Sequence, residues 1–182
     1  GSTVEAYNTL FANCGQFAAA LTIGGSYEFY HCTFANFWGY STRKTPSILL
    51  NNYYIDIYGS TQIRSLDKAI FGNCIIYGNK ENEIILDNNT SGIFNFKFDH
   101  SLIKVSEDFS TDNPSQFENV IKNKNPKFKD PYTYNYELDT LSVAKDSGKK
   151  EIGLLFPIDI NNENRTSDNG PDLGAFERIE AK

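Results

Sequence analysis

The sequence predicts an all-β protein built as a solenoid of a few coils, and three observations lead to this prediction. A short phrase recurs in which Phe is followed by any residue, then Asn or His, then Cys or Ser; its copies lie at 11–14, 29–32, 71–74 and 98–101. Apolar and polar residues alternate on both sides of the phrase, as they do in strands. The copies are irregularly spaced, which is typical of a solenoid with insertions in its loops.

The polar residue inside the phrase marks a sharp corner between two strands. Asn suits such a corner because it tolerates left-handed backbone and hydrogen-bonds to nearby main chain. In stacked coils the Phe residues would form one interior column, the Cys and Ser residues a second, and the Asn and His residues a ladder. His31 and His100 occupy the position of Asn13 and Asn73, so we expect structural roles for both histidines.

The other elements follow along the chain. Coils are expected over residues 4–105, with their first strands at 19–25, 47–52 and 83–88 and insertions at 38–46 and 53–67. Residues 106–182 are expected to form an irregular last coil, with short helical turns at 117–124, and a cap over the C-terminal end of the stack. The chain is then a single domain, residues 1–182. Since no cap precedes the first coil, we expect it to be the C-terminal part of a longer protein.

Composition excludes several classes of function. The net charge of −6 and the pI near 4.9 argue against nucleic acid as a partner, because binding a polyanion requires local positive potential. No apolar run reaches the roughly 18 residues of a membrane span. The three cysteines are Cys14, Cys32 and Cys74. We expect them to be small buried hydrophobic residues in one inward row. The sequence has no closely spaced pair of Cys or His residues, so it predicts no zinc site.

Two resemblances refine the fold. The hydrophobic strand, the Asn corner and the short Cys-x-Phe or Cys-x-Ile strand, repeated over residues 9–105, resemble the right-handed parallel β-helix of the pectate-lyase-like superfamily. The segments 125–128, 136–148 and 159–177 are similar to the closing segment of secreted or surface β-helix proteins of the Bacteroidetes type, which are often lipoproteins. This resemblance implies a secreted or outer-surface bacterial protein, with a lipid anchor expected at an N-terminus outside this sequence.

The first resemblance also implies where catalysis would occur. In the resembling lyases, outward residues of the first strands supply calcium-binding carboxylates and a basic proton abstractor. Our alignment of these strands gives two outward rows, Thr22, Leu49, Ile85 and Gly24, Asn51, Asp87. The first row cannot abstract a proton, and Asp87 in the second row is a single carboxylate without a partner. We therefore predict no catalytic residue and no cofactor. Calcium is allowed by the resemblance, but residues 159–163 lack the turn Gly and closing Glu of an EF-hand.

Aromatic and basic residues in the two insertions are the candidate ligand-binding residues. Aromatic faces pack against sugar rings, and Arg can hold a carboxylate or sulfate bidentately. The alternative is that the aromatic side chains only cover loops and fill gaps. The candidates are Trp38, Tyr40, Arg43, Lys44, Tyr53, Tyr54, Tyr58 and Arg64.

Two functions remain open. The favoured one is a non-catalytic secreted or cell-surface module that binds a polysaccharide or glycan through these loops. The alternative is the C-terminal part of a polysaccharide lyase-like enzyme whose catalytic coils lie upstream, with Arg43, Lys44 or Arg64 contributing to subsites. The uncapped strand edges of the first coil predict end-to-end self-association in either case.

Overall fold

A computed structural model describes residues 1–180 of the chain. Within this range the protein is mostly β structure, with one 3-10 turn (Pro131–Thr133) and one short helix, α1 (Lys150–Leu155). The strands are β1 (Ser2–Tyr7), β2 (Leu10–Ala12), β3 (Ala19–Leu21), β4 (Gly25–Tyr30), β5 (Thr33–Asn36), β6 (Ile48–Asn51), β7 (Tyr53–Ile55), β8 (Thr61–Ile63), β9 (Leu66–Gly72), β10 (Ile75–Gly78), β11 (Ile84–Asp87), β12 (Lys97–Asp99), β13 (Leu102–Ile103), β14 (Phe117–Glu118), β15 (Ile121–Lys122), β16 (Phe128–Asp130) and β17 (Asn135–Leu138).

Most of these strands form three open parallel sheets. Sheet A has the order β1-β4-β9-β12-β14, sheet B the order β2-β5-β10-β13-β15, and sheet C the order β3-β6-β11. The chain passes repeatedly from sheet C to sheet A and on to sheet B, and each pass pairs in parallel with the one before. The pairs β7–β8 and β16–β17 are antiparallel hairpins. The prediction of a β protein built on parallel strands is confirmed.

The inner faces of the three sheets enclose one apolar core. Its centre is a column of stacked rings on sheet A, with centroid distances of 5.1 Å from Phe29 to Phe71, 4.8 Å from Phe71 to Phe98 and 5.6 Å from Phe98 to Phe117. The predicted column of Phe residues is therefore present. Phe11 is not part of it, because Phe11 pairs with Phe34 on sheet B.

A ladder of left-handed corners joins sheet A to sheet B in every pass. Its members have φ between 49° and 51° and are Asn8, His31, Asn73, His100 and Asn119. The amide of Asn73 lies 3.1 Å from Nε2 of His31, and the amide of Asn119 lies 3.0 Å from Nε2 of His100. The corner prediction holds for His31, Asn73 and His100.

The first copy of the phrase was placed wrongly. Asn13 also has a left-handed backbone, but it follows β2, and the residue that precedes β2 at the corner is Asn8. Cys14 therefore does not share the inward row of Cys32 and Cys74, and it is only partly buried. The prediction of helical turns at 117–124 is also wrong, since these residues form β14 and β15 and extend the parallel sheets to residue 122.

The register of sheet C differs from our alignment by two residues in its first strand. Ala20, Leu49 and Ile85 form the outward row, and Asn51 pairs with Asp87 in the next. A shift of two residues keeps every side chain on its face of a sheet. Ile23 lies in the turn after β3, where it is 42 % exposed and has φ of 64°.

The C-terminal segment packs along the side of the sheets. The sequence had predicted instead that it would cap the end of the stack. Its apolar side chains form a second core with the outer face of sheet B, which supplies Ala35, Ile75 and Leu102. The backbone N–H of Ala175 donates to Oγ1 of Thr33 at 2.9 Å. Phe156, after α1, stacks on Tyr7 and Tyr30 of sheet A. Residues 181 and 182 of the predicted cap lie outside the described residues.

Candidate functional site

The structure divides the predicted ligand-binding residues among separate places. Trp38 and Tyr40 lie beside the C-terminal segment, whereas the residues from Tyr53 to Arg64 belong to or flank the β7–β8 hairpin. Lys44 is exposed. Within residues 1–180, no hydrogen bond or aromatic contact joins the first group to the second.

Arg43 is not a ligand-binding residue, contrary to the prediction, because its side chain is buried. Its guanidinium donates to both carboxylate oxygens of Glu83, at 2.6 and 2.9 Å, and the two side chains are 1 % and 0 % exposed. It also donates to the carbonyls of Asn36 and Thr45. Arg43 thus anchors the 38–46 insertion and is out of reach of a ligand.

The β7–β8 hairpin projects from the sheets and is braced internally. The Asp56 carboxylate accepts backbone N–H groups of Tyr58 and Ser60 at 2.9 Å, which fixes the turn and leaves Tyr58 85 % exposed at its tip. Arg64 lies over the ring of Tyr54 at 5.3 Å. The hairpin therefore carries an exposed ring, but Tyr58 lines none of the five surface pockets described for residues 1–180.

A second group of exposed rings comes from the turn between β16 and β17. The Asp130 carboxylate accepts the N–H groups of Tyr132 and Thr133, which caps the 3-10 turn. Tyr134 ends the turn with φ of 67°, an unusual backbone for a bulky residue. This turn presents Tyr132 at 81 % exposure and Tyr134 at 59 %.

The 38–46 insertion and this turn meet to form an aromatic cleft, which we define as Phe37, Trp38, Tyr40, Tyr77, Tyr132 and Tyr134. The hydroxyls of Tyr40 and Tyr134 are 2.9 Å apart, and that hydrogen bond raises the pKa of Tyr134. The rings of Trp38 and Tyr40 are 4.9 Å apart, and Phe37 meets Tyr132 edge-on at 6.2 Å. The indole N–H of Trp38 donates to the Ser41 hydroxyl at 2.9 Å.

The cleft contains two adjoining surface pockets of about 220 and about 450 Å³. Phe37, Pro131 and Tyr132 line both pockets. The smaller pocket also includes Asn13, and the larger one includes Asn125, Lys127 and Asp139. Rings combined with a few polar groups are typical of small-molecule and carbohydrate sites.

The contribution of Tyr132 and Tyr134 was missed at the sequence level. Both tyrosines lie in the segment for which the sequence predicts only an irregular last coil. The available signal was local: Asp130 followed by Pro131 predicts a turn, and a turn carrying two tyrosines is a place where rings become exposed.

The outer face of sheet A holds a close group of titratable side chains. Single ligand atoms of Asp99, His100 and Glu118 lie within 4.8 Å of one another. Lys149 binds Asp99 at 2.9 Å, and this hydrogen bond raises the pKa of the Lys149 ammonium. Nδ1 of His100 is 2.7 Å from Asp99, and Nε2 contacts Asn119. Both nitrogens of the His100 ring thus have partners, and these side chains form a network of charged groups on the surface of sheet A.

Two other carboxylates considered from the sequence are also engaged. Asp159 accepts backbone N–H groups of Asn161, Glu163 and Glu177 at 2.7–2.8 Å, so it braces the tail where a calcium ligand was considered. Asp87 accepts from the Asn51 amide at 2.9 Å and the Tyr53 hydroxyl at 3.0 Å. The neighbouring outward row of Ala20, Leu49 and Ile85 holds no group that could move a proton.

Within the described part of the chain, no helix has the length and apolar character that crossing a membrane requires. Comparisons with protein families, with curated proteins and with solved structures give no match to this chain.

Proposed function

We propose that this chain is a non-catalytic module of the right-handed parallel β-helix class and that it binds carbohydrate through the aromatic cleft. The repeated passage through three parallel sheets and the ladder of left-handed corners support the β-helix class. The sequence resemblances described above support a secreted or outer-surface bacterial protein of the pectate-lyase-like superfamily.

The convergence of exposed rings at the cleft carries the binding proposal. Trp38 and Tyr40 meet Tyr132 and Tyr134 from a distant part of the chain, and Tyr40, Tyr132 and Tyr134 are 76 %, 81 % and 59 % exposed. Rings that served only to fill gaps would be mostly buried, and clustered exposed rings commonly mark binding sites. Sugar rings offer matching apolar faces, and their hydroxyls can bond to the polar groups between the rings.

Binding is tested by screening the protein against a glycan panel and titrating the hits by calorimetry. We expect Tyr132→Ala to weaken binding about tenfold or more, because one stacked ring contributes about 1.5 kcal/mol. Tyr58→Ala is the matched control, since Tyr58 is equally exposed on the other hairpin. An absence of binding across the panel, or equal affinities for the two variants, would contradict the proposal.

The alternative function is that of the C-terminal part of a polysaccharide lyase-like enzyme. Under it, Lys44 and Arg64 remain candidate subsite residues, and Arg43 does not. An ultraviolet assay for unsaturated uronate products, with and without calcium, distinguishes this alternative from the non-catalytic module. Product formation by this chain would overturn the non-catalytic proposal.

We also propose end-to-end self-association, which the open sheet edges support. Strand β1 is almost entirely exposed at the edge of sheet A, and exposed strand edges tend to pair with other chains. We expect concentration-dependent sedimentation, and a strictly monomeric profile would contradict this expectation.

A further inference from the structure

We propose that the ligand of the aromatic cleft is an uncharged, linear oligosaccharide that occupies both pockets with consecutive sugar units. This inference rests on the proposed function and specifies its ligand class. It is carried by the arrangement of the pockets, by their charge and by the polar atoms that remain open in them.

The arrangement of the pockets favours a chain of sugar units over a single one. The two pockets share Phe37, Pro131 and Tyr132 in their linings, so a ligand that spans both would lie against the ring of Tyr132. Each pocket has its own aromatic surface, Trp38 and Tyr40 in the smaller and Tyr77 in the larger. A ligand that spans both can contact rings on either side of Tyr132.

The charge of the cleft favours an uncharged ligand. Lys127 and Asp139 line the larger pocket with opposite charges. The Lys104 ammonium, which lies over the Tyr77 ring at 4.9 Å, donates to the Gly78 carbonyl at 2.8 Å. The backbone N–H of Leu141, which donates to Asp139 at 2.9 Å, lowers the pKa of this carboxyl, so it is ionised at neutral pH. Neither pocket is lined by an arginine. A polyuronate or sulfated glycan would meet a carboxylate and a chain of net charge −6 without the bidentate Arg that usually recognises such groups.

The open polar atoms of the larger pocket suit hydroxyl groups. Asp139 uses Oδ1 for Leu141 and Thr140, and Asn125 uses Oδ1 for the N–H of Lys127. Within residues 1–180, no hydrogen bond occupies Oδ2 of Asp139 or Nδ2 of Asn125. Oδ2 of Asp139 can therefore accept a hydrogen bond and Nδ2 of Asn125 can donate one, and sugar hydroxyls can form both bonds.

Calorimetry with matched oligosaccharides tests the ligand class. The probes are neutral hexose and xylose oligomers of one to six units and galacturonate oligomers of the same lengths, each at about 0.05 and about 0.5 M salt, since salt screens charge recognition. We expect the neutral oligomers to bind, with affinity rising from one unit to at least two and changing less than about twofold with salt. These readouts use the unchanged protein and do not depend on a variant folding.

Two variants of residues that line the larger pocket complete the test. Asp139→Asn keeps an oxygen for the Leu141 N–H, and we expect it to weaken neutral-oligomer binding about tenfold, since a hydrogen bond to a charged acceptor is lost. Lys127→Gln should change that binding less than about twofold. Tighter, salt-sensitive binding of the galacturonate oligomers, reduced about tenfold by Lys127→Gln, would overturn the uncharged-ligand inference and leave the proposed function standing. Failure of every probe would instead overturn the proposed function.

Discussion

The buried pair of Arg43 and Glu83 gives a prediction that separates a structural role from a ligand-binding one. Arg43→Ala leaves the Glu83 carboxylate at 0 % exposure without its guanidinium. Removing one partner of a buried ion pair costs about 3–5 kcal/mol. We expect the lower end, about 3 kcal/mol, because the carboxylate still accepts hydrogen bonds from Ser47 and Lys80. For a chain of this size that loss lowers Tm by about 6–12 °C.

Urea denaturation followed by two probes checks the prediction. Trp38 is the only tryptophan and lies in the insertion that Arg43 anchors, so its fluorescence reports that insertion while far-ultraviolet circular dichroism reports the sheets. Lys44→Ala is the control, since Lys44 is exposed and its loss should change stability by less than about 0.5 kcal/mol. Arg43→Lys should fall between the two, because a lysine cannot bind the carboxylate bidentately. Equal stability of Arg43→Ala and Lys44→Ala would refute the reasoning and return Arg43 to the surface.

Three further predictions concern the core, the tail and pH. Phe71→Ala removes the centre of the ring column, so we expect urea denaturation to show a loss of about 3–5 kcal/mol, and a loss below about 1 kcal/mol would contradict the column. Gly174→Ala places a methyl group against the Thr33 hydroxyl at φ of 86°; proteolysis of the tail should therefore accelerate, and unchanged protection would contradict the packing of the tail on sheet B. Burial raises the pKa of the Asp172 carboxyl to about 7. Because an Asp carboxyl titrates near pH 4 when unfolded, the native state holds the extra proton between about pH 4 and about pH 7, and its stability falls as pH rises across that range. Denaturation at several pH values should show a shallower fall for Asp172→Asn, and an unchanged slope would contradict the assignment.

The strands around the repeated phrase could be predicted because their cause is local. Alternation at period two and a corner residue that tolerates positive φ are both visible in a short window of sequence. The same local pattern selected the wrong residue, because Asn13 matches the phrase, with Phe11 two positions before it and Cys14 after it, whereas Asn8 does not. The choice is made by the neighbouring strand, where Tyr7 pairs with Tyr30 and so aligns Asn8 with His31.

The sequence also contains a signal for the position of the tail on sheet B. Strands β10 and β13 have buried apolar residues facing both ways, with Ile75 and Leu102 outward and Ile76 and Ile103 inward. Such strands need cover on both faces, and the tail supplies it for sheet B. The meeting of the two parts of the aromatic cleft had no such signal, because Tyr40 and Tyr134 are 94 residues apart and are brought together only by the course of the tail.

The left-handed corner ladder has a consequence for how such a chain can vary. The corner between sheets A and B is a single tight turn in every pass, whereas the connections from sheet B to C and from sheet C to A differ in length and carry the 38–46 insertion and the β7–β8 hairpin. One edge of the molecule is therefore geometrically invariant, and the other two tolerate insertion and deletion. Loops at those two edges can be exchanged by grafting, while the corner ladder keeps the register of the scaffold unchanged.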